Sequence, residues 1–228
     1  MNFALPRWDI PSVAIDQSEQ RFPVHRIYCV GRNYAEHARE MGADPAREAP
    51  FFFCKPNDTV VPNGVPIPYP SVTQNFHHEV ELVVALKAGG VNIKPDAALD
   101  LVFGYAVGVD LTRRDLQQAA KDKGRPWDVG KAFDRSAPIG SIATVAARGH
   151  ISNAAISISV NGAVKQTSDV KEMIWNVPEI IMHLSTLFEL KAGDLIFTGT
   201  PAGVGPLVTG DSVAARIDGL PPLDFSVS

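Results

Sequence analysis

Ala155-Ile156-Ser157-Ile158-Ser159-Val160-Asn161-Gly162-Ala163-Val164-Lys165-Gln166 decides the character of the chain. Two β-rich runs flank an Asn-Gly pair, and Asn-Gly readily takes the positive φ angles that a tight hairpin turn needs. Downstream, Pro178 opens an amphipathic helix to about Glu189, with Ile180, Ile181, Leu184, Leu187 and Phe188 on one side. Leu195–Thr198 and Ser212–Ile217 read as late strands. Upstream, Arg26–Val30 reads as a short buried strand ending at Gly31, and Phe51–Cys54 as an aromatic strand after Pro50. His78–Leu86 alternates at first and then turns continuously apolar, a strand with a buried far end. Leu101–Leu111 is a second apolar strand, containing Gly104 and Gly108. Arg113–Lys123 has a helical pattern. Asn33 is placed to cap a helix over roughly Tyr34–Met41, ended by Gly42. Residues 56–75 hold five prolines, a composition of loops and edge strands.

Strands outnumber helices and do not alternate with them as βαβ units would. The expected fold is therefore α+β and mostly β. Residues 1–25 contain prolines and show no strong period, so they are read as an arm over the domain surface.

The 228 residues are 45% hydrophobic and 20% charged, enough to bury a sizeable core. The net charge is −4, and no basic stretch interleaved with aromatics offers a nucleic-acid track. No apolar run approaches the roughly 20 residues of a membrane helix. The N-terminus lacks the basic start and apolar run of a signal peptide. Cys29 and Cys54 form no CxxC and sit among apolar neighbours, which predicts buried free thiols. These features place the protein in the cytoplasm as an expectation.

His78-Glu79-Val80-Glu81-Leu82 carries chemistry as well as structure. Side chains two apart on a strand share a face, so Glu79 and Glu81 project together and repel. Two such glutamates alone more often lie on a solvated face. Asp110, however, ends an apolar strand, an unusual place for a charge that binds nothing. Glu79, Glu81 and Asp110 make three hard oxygen ligands, a set for Mg²⁺ or Mn²⁺, with Ca²⁺ admissible. Zinc is disfavoured because no His/Cys cluster has the spacing. His77 and His78 flank this point and face opposite ways.

His37 and Glu40 stand three apart on the Tyr34–Met41 helix, so Glu40 can orient one ring nitrogen of His37 and leave the other as a base. A surface ion pair is the competing reading. Arg113, Arg114 and Gln117 follow Asp110, and Lys131 follows Trp127-Asp128-Val129-Gly130. Such cations beside a metal suit a small dianion, though any one of them could be a solvated surface charge. Thr198-Gly199-Thr200-Pro201-Ala202-Gly203-Val204-Gly205 is neither a Walker loop nor GxGxxG. Its glycines permit close backbone approach to a ligand, or simply make turns.

Together these segments resemble the fumarylacetoacetate hydrolase superfamily, in its short form without the extra N-terminal domain. The matching elements are Gly31-Arg32-Asn33-Tyr34 with His37, His78 to Leu82, Val107-Gly108-Val109-Asp110, Arg114-Asp115 with Gln117, Gly130-Lys131 with Phe133-Asp134, and the Thr198–Gly205 loop. The resemblance covers residues 26–228 and implies a single catalytic domain of mixed, rolled β-sheets with a few peripheral helices, usually dimeric. It implies that Glu79, Glu81 and Asp110 hold Mg²⁺ or Mn²⁺. It also implies that His37 and Glu40 form a catalytic dyad on a lid segment, and that Lys131, Arg114, Gln117 and Thr200 meet the substrate or the developing charge. Within the family the chain is similar to acylpyruvate hydrolases. Its Arg26–Tyr34 and Pro50–Phe53 segments are similar to bacterial fumarylpyruvate hydrolases of gentisate breakdown. The implied reaction is hydrolysis of a carbon–carbon bond in a small dianionic oxo acid. Oxaloacetate decarboxylation, dienoate isomerisation or hydration, and metal or carboxylate binding without catalysis are the alternatives.

Overall fold

The computed structural model of the chain describes residues 3–40 and 48–228. A mixed, eight-stranded sheet positions the site. Its strands lie in the order Phe51–Lys55, Ile27–Gly31, Leu195–Phe197, Val80–Leu86, Val102–Val109, Ala137–Ile139 and Val60–Pro62, and Ala143–Thr144 also pairs with Val102–Val109. Leu195–Phe197 is parallel to Ile27–Gly31, and Ala137–Ile139 is parallel to Val60–Pro62; the other pairs are antiparallel. A four-stranded antiparallel sheet orders Ala163–Asp169, Ala155–Val160, Ser212–Ile217 and Leu223–Ser226. Gly205–Leu207, Phe76–His78 and Thr112–Arg113 make a third, smaller sheet. This is the expected α+β, mostly-β fold of curled mixed sheets with few helices.

The Val80–Leu86 strand shows why one stretch can be polar at its start and apolar after it. All seven of its residues are buried. Val80, Leu82, Val84 and Leu86 enter a core shared with Ile156, Ile158 and Val213 of the four-stranded sheet and Ile180 and Leu184 of the Val177–Leu187 helix. Val83 and Ala85 enter a second core with Cys29, Phe197, Val13 and Phe22. A strand covered on both faces loses its polar alternation. The central pairing is close: a Cβ on Gly108 would stand 2.5 Å from Val83 Cγ2 and 2.7 Å from a Phe197 ring carbon.

The hairpin forms as expected, with Asn161 at φ 51 and Gly162 at φ 79. Other expectations need correction. His78–Leu86 is two strands, because the chain changes sheets at Glu79. There Val80 pairs with Val109, and its N–H donates to the Gln166 side chain at 3.1 Å. Leu99–Leu101 forms a 3₁₀ turn, so the next strand starts at Val102. The expected prolyl segment contains one 3₁₀ turn over Asn57–Thr59. The late helix spans Val177–Leu187, capped by Asn176 with Glu179. Leu187, its last residue, is exposed, and Phe188 leaves the buried face because its backbone is already extended.

Asn33 does not serve the following helix as foreseen. Its buried amide donates to Trp175 O and Thr198 O and accepts from Trp175 N–H, pinning three chain segments together. That helix spans Ala35–Glu40 among the described residues; its foreseen end at Met41 and Gly42 lies outside them. Cys29 is buried but Cys54 is exposed, because Phe51–Lys55 is an edge strand with one face to solvent. Within the supposed N-terminal arm, Ser12–Ala14 pairs with Arg21–Pro23, and Val13, Phe22 and Val24 bury themselves in the second core. Three-residue strands are too short to display a period. Among the described residues no helix is long and apolar enough to cross a membrane.

Candidate active site

The crossing of the sheets gathers the acidic side chains. Glu79 sits between two strands, Glu81 is the second residue of Val80–Leu86, and Asp110 follows the end of Val102–Val109. Antiparallel pairing of those strands, continued by the Asp110 N–H to Glu79 O bond of 2.8 Å, brings the three together. They are 5%, 2% and 1% exposed, and one carboxylate oxygen of each lies within 4.8 Å of the others.

Three buried carboxylates this close require positive charge. Lys131 supplies part of it, donating to Glu79 Oε2 at 2.7 Å, Asp110 Oδ2 at 2.6 Å and Thr112 Oγ1 at 2.7 Å. Burial opposes its charge, but Asp110 and Glu79 outweigh burial and raise its pKa, which favours the charged ammonium. Arg114 donates to Glu79 Oε1 and to Gln117 Oε1. Burial pushes the Glu79 carboxyl up; Lys131 and Arg114 more than reverse this and hold it below the usual range. Among the described residues no cation contacts Glu81, and Lys131 lowers it only from a distance. Burial, then Asp110, then Glu79 push it well above the usual range, although Gly199 N–H donates to its Oε2 at 2.7 Å.

The donor set fits a hard divalent cation. Asp110 Oδ1 is buried and receives no hydrogen bond. Lys55 Nζ lies 2.8 Å from it, but directs its protons to the carbonyls of Leu111 and Lys131. A carboxylate oxygen that accepts no hydrogen bond, a carboxyl raised by its neighbours and only oxygen donors are what a Mg²⁺ or Mn²⁺ site offers. Among the described residues this is the one group of acidic, His or Cys side chains so arranged.

His37 stands on the wall of the same cleft, 5% exposed. Its Nδ1 is 3.2 Å from Glu40 Oε2, and both oxygens of Glu40 accept from Gly203 N–H at 3.2 Å. Burial lowers the His37 pKa against the pull of Glu79 and Glu40, leaving a neutral imidazole whose Nε2 is not turned to Glu40. Such a pair can accept a proton from water. The glycine loop thus acts through its backbone, and Gly203 at φ 93 occupies a region that other residues rarely adopt.

The cleft spans about 380 Å³, open mouth included, and its wall also contains Gln117 and Thr200. Thr200 Oγ1 donates to Val80 O at 2.8 Å and accepts from Gln166, so it holds the crossing point as well as lining the cleft. Arg113 points elsewhere, stacked 4.4 Å from the Phe133 ring centroid. His77 and His78 diverge as their adjacency required: His78 is buried against Gln166, whereas His77 meets Asn75 and Arg114. Sequence reasoning missed Lys55, whose only signal was a lysine closing an aromatic strand. It also missed the wall residues Arg32, Phe51, Phe53, Lys121 and Trp127 as a group.

The chain matches the family described as fumarylacetoacetate (FAA) hydrolase C-terminal over residues 26–228, and it belongs to that family. It is 45% identical over 185 residues to a fumarylpyruvate hydrolase of Ralstonia sp., covering 81% of this chain and 95% of the other. It is 41% identical over 201 residues to the mitochondrial oxaloacetate tautomerase of Mus musculus, covering 88% and 90%. Among solved structures, fumarylpyruvate hydrolase from Pseudomonas aeruginosa in complex with Mn²⁺ and pyruvate matches with a TM-score of 0.98 and 52% identity, covering 99% of both chains.

Proposed function

We propose that this member of the fumarylacetoacetate hydrolase family is a hydrolase acting on the carbon–carbon bond of an acylpyruvate, converting fumarylpyruvate and water to fumarate and pyruvate. The observation that carries the reading is one cleft lined both by Glu79 and Asp110 of a buried carboxylate triad and by a histidine that Glu40 orients. Likeness to the Ralstonia and Pseudomonas hydrolases supports the substrate. Glu79, Glu81 and Asp110 would hold Mg²⁺ or Mn²⁺. When bound, that ion supplies Lewis acidity to the 2-oxo acid end of the substrate and stabilises the negative charge that develops there.

The residues of the chain do the rest. Glu40, fixed by Gly203 N–H, keeps the His37 ring in place. His37 Nε2 takes a proton from water, and the resulting hydroxide attacks the acyl carbonyl carbon. Collapse of the tetrahedral adduct breaks the carbon–carbon bond, leaving its electron pair on the pyruvate half as an enolate. The proton held by His37 returns to that carbon, giving pyruvate, while the acyl half leaves as an acid. Lys131 and Arg114, the latter braced by Gln117, offset the negative charge of the 2-oxo acid. Thr200 contributes a wall that its bond to Val80 keeps rigid.

The test is turnover of fumarylpyruvate by chelator-stripped protein with Mg²⁺ or Mn²⁺ restored. Metal-dependent appearance of both pyruvate and fumarate is expected; consumption of fumarylpyruvate without fumarate would reject the reaction. A second reading rests on the Mus musculus relative, named for oxaloacetate tautomerisation, and on a Dictyostelium discoideum relative named for oxaloacetate decarboxylation: the same enolate chemistry would serve either. Enol–keto interconversion or CO₂ release from oxaloacetate, without acylpyruvate cleavage, would favour it. Cytoplasmic location, a homodimeric state and a role in aromatic catabolism belong to the same proposal.

A further inference from the structure

The cleft carries more positive charge than its carboxylates engage. Lys131, Arg114 and Lys55 each contact Glu79 or Asp110. Arg32 and Lys121 also line the cleft, and among the described residues neither has an anionic partner. Their neighbours are rings. The Arg32 guanidinium carbon is 5.7 Å from the Phe51 ring centroid, and Lys121 Nζ is 5.0 Å from that of Trp127. The two rings meet edge to face at 5.3 Å, so cation, ring, ring and cation form one continuous strip.

Burial orders this strip relative to the triad. The carboxylates and Lys131 are at most 5% exposed, whereas Phe51 is 38% exposed and Arg32 is exposed. The triad is the floor and the strip is nearer the mouth. Lys121 is half-buried and lowered to about 8, first by burial and then by the charges of Arg114 and Arg32, the state of an ammonium crowded by cations. Arg32 holds φ 57, a left-handed backbone that non-glycine residues adopt mostly where surroundings or ligands demand it.

We propose that the Arg32–Phe51–Trp127–Lys121 strip binds the carboxylate at the far end of the acyl group, so that the enzyme selects acylpyruvates whose acyl half is itself an acid. The inference rests on the reaction proposed above, which places the 2-oxo acid end on the floor. The far end of an elongated substrate then points to the mouth. A planar conjugated acyl chain lies against the two rings, and its terminal carboxylate meets two cations that no carboxylate among the described residues contacts.

Binding tests this without turnover. Mn²⁺-loaded full-length protein is titrated calorimetrically with fumarate and with crotonate, in which a methyl group replaces one carboxylate. The wild type is expected to prefer fumarate by about 10-fold, the scale of one charge-assisted hydrogen bond. Lys121→Met and Arg32→Asn should each reduce that preference several-fold, and Lys121→Arg should restore most of it. Asparagine tolerates the left-handed backbone, so Arg32→Asn removes the charge without straining the turn. Equal binding of the two acids by the wild type, or an undiminished preference in both variants, would overturn the proposal. Turnover of fumarylpyruvate and acetylpyruvate is measured in parallel. No cleavage of either, with the fumarate preference intact, would reject the reaction and leave the strip standing.

Discussion

Lys55 Nζ and Asp110 Oδ1 lie 2.8 Å apart with both side chains almost completely buried, and Asp110 lines the cleft. The contact pairs their charges, while the lysine protons serve two backbone carbonyls. Lys55→Met would leave Asp110 with less compensation and the carbonyls of Leu111 and Lys131 short of a donor. Breaking a buried pair in this way costs about 3–5 kcal/mol. Urea unfolding should show that loss, and adding Asp110→Asn should recover part of it. A change below about 1 kcal/mol, the scale of an exposed pair, would contradict the assignment.

His37 gives a pH dependence with a definite sign. Burial lowers its pKa from 6.5, so the neutral form persists below the ordinary histidine range. A general base works when neutral. The value of kcat/KM should therefore rise with pH through an acid limb below 6.5 and then level off. Glu40 raises the His37 pKa, so Glu40→Gln should move the limb still lower while reducing the rate. His37→Ala should cut kcat by about 10²–10⁴ with unchanged circular dichroism. Full activity in that variant would remove His37 from the mechanism.

Glu81→Gln tests the cation site separately from the base. One of three hard ligands becomes a weak neutral one while its shape and its Gly199 contact survive. The variant should need about 10-fold or more added Mn²⁺ for half-maximal activity, the usual scale for weakening a metal's coordination shell. His37→Ala should leave the Mn²⁺ requirement unshifted in a fluorescence or calorimetric titration. Identical titrations for Glu81→Gln and the wild type would place the ion elsewhere.

Gly203 links the loop to the dyad. A Cβ there would run into Lys165 O, and the backbone is at φ 93. Gly203→Ala should displace the N–H that holds Glu40 and lower kcat by about 10-fold or more, the effect of a small misplacement in a catalytic array. Metal affinity should be retained. Wild-type kcat in this variant would show that Glu40 needs no such anchor.

Much of this architecture is legible in the chain because its signals are local. Asn161-Gly162 fixes a hairpin through backbone preference, and the three-residue spacing of His37 and Glu40 fixes a contact through helix geometry. Glu79, Glu81 and Asp110 stand out because carboxylates interrupt apolar runs. The sheet change at Glu79 does not stand out. It depends on Gln166 of another strand taking the Val80 N–H, a contact 86 residues away in sequence. The exposure of Cys54 likewise follows from its strand being at an edge, which no neighbour in sequence reveals.

The mostly-β class, the three carboxylates and the histidine–glutamate pair are thus readable from the chain, since each carboxylate, turn or helical spacing stands out against its own neighbours. That Lys55 compensates Asp110, that Gly203 anchors Glu40, and that Arg32 and Lys121 share one wall with Phe51 and Trp127 emerges with the folded arrangement alone. Those relationships join segments far apart in the chain. Their energies come from burial and unscreened charge at short distance, quantities that exist only once the chain has folded.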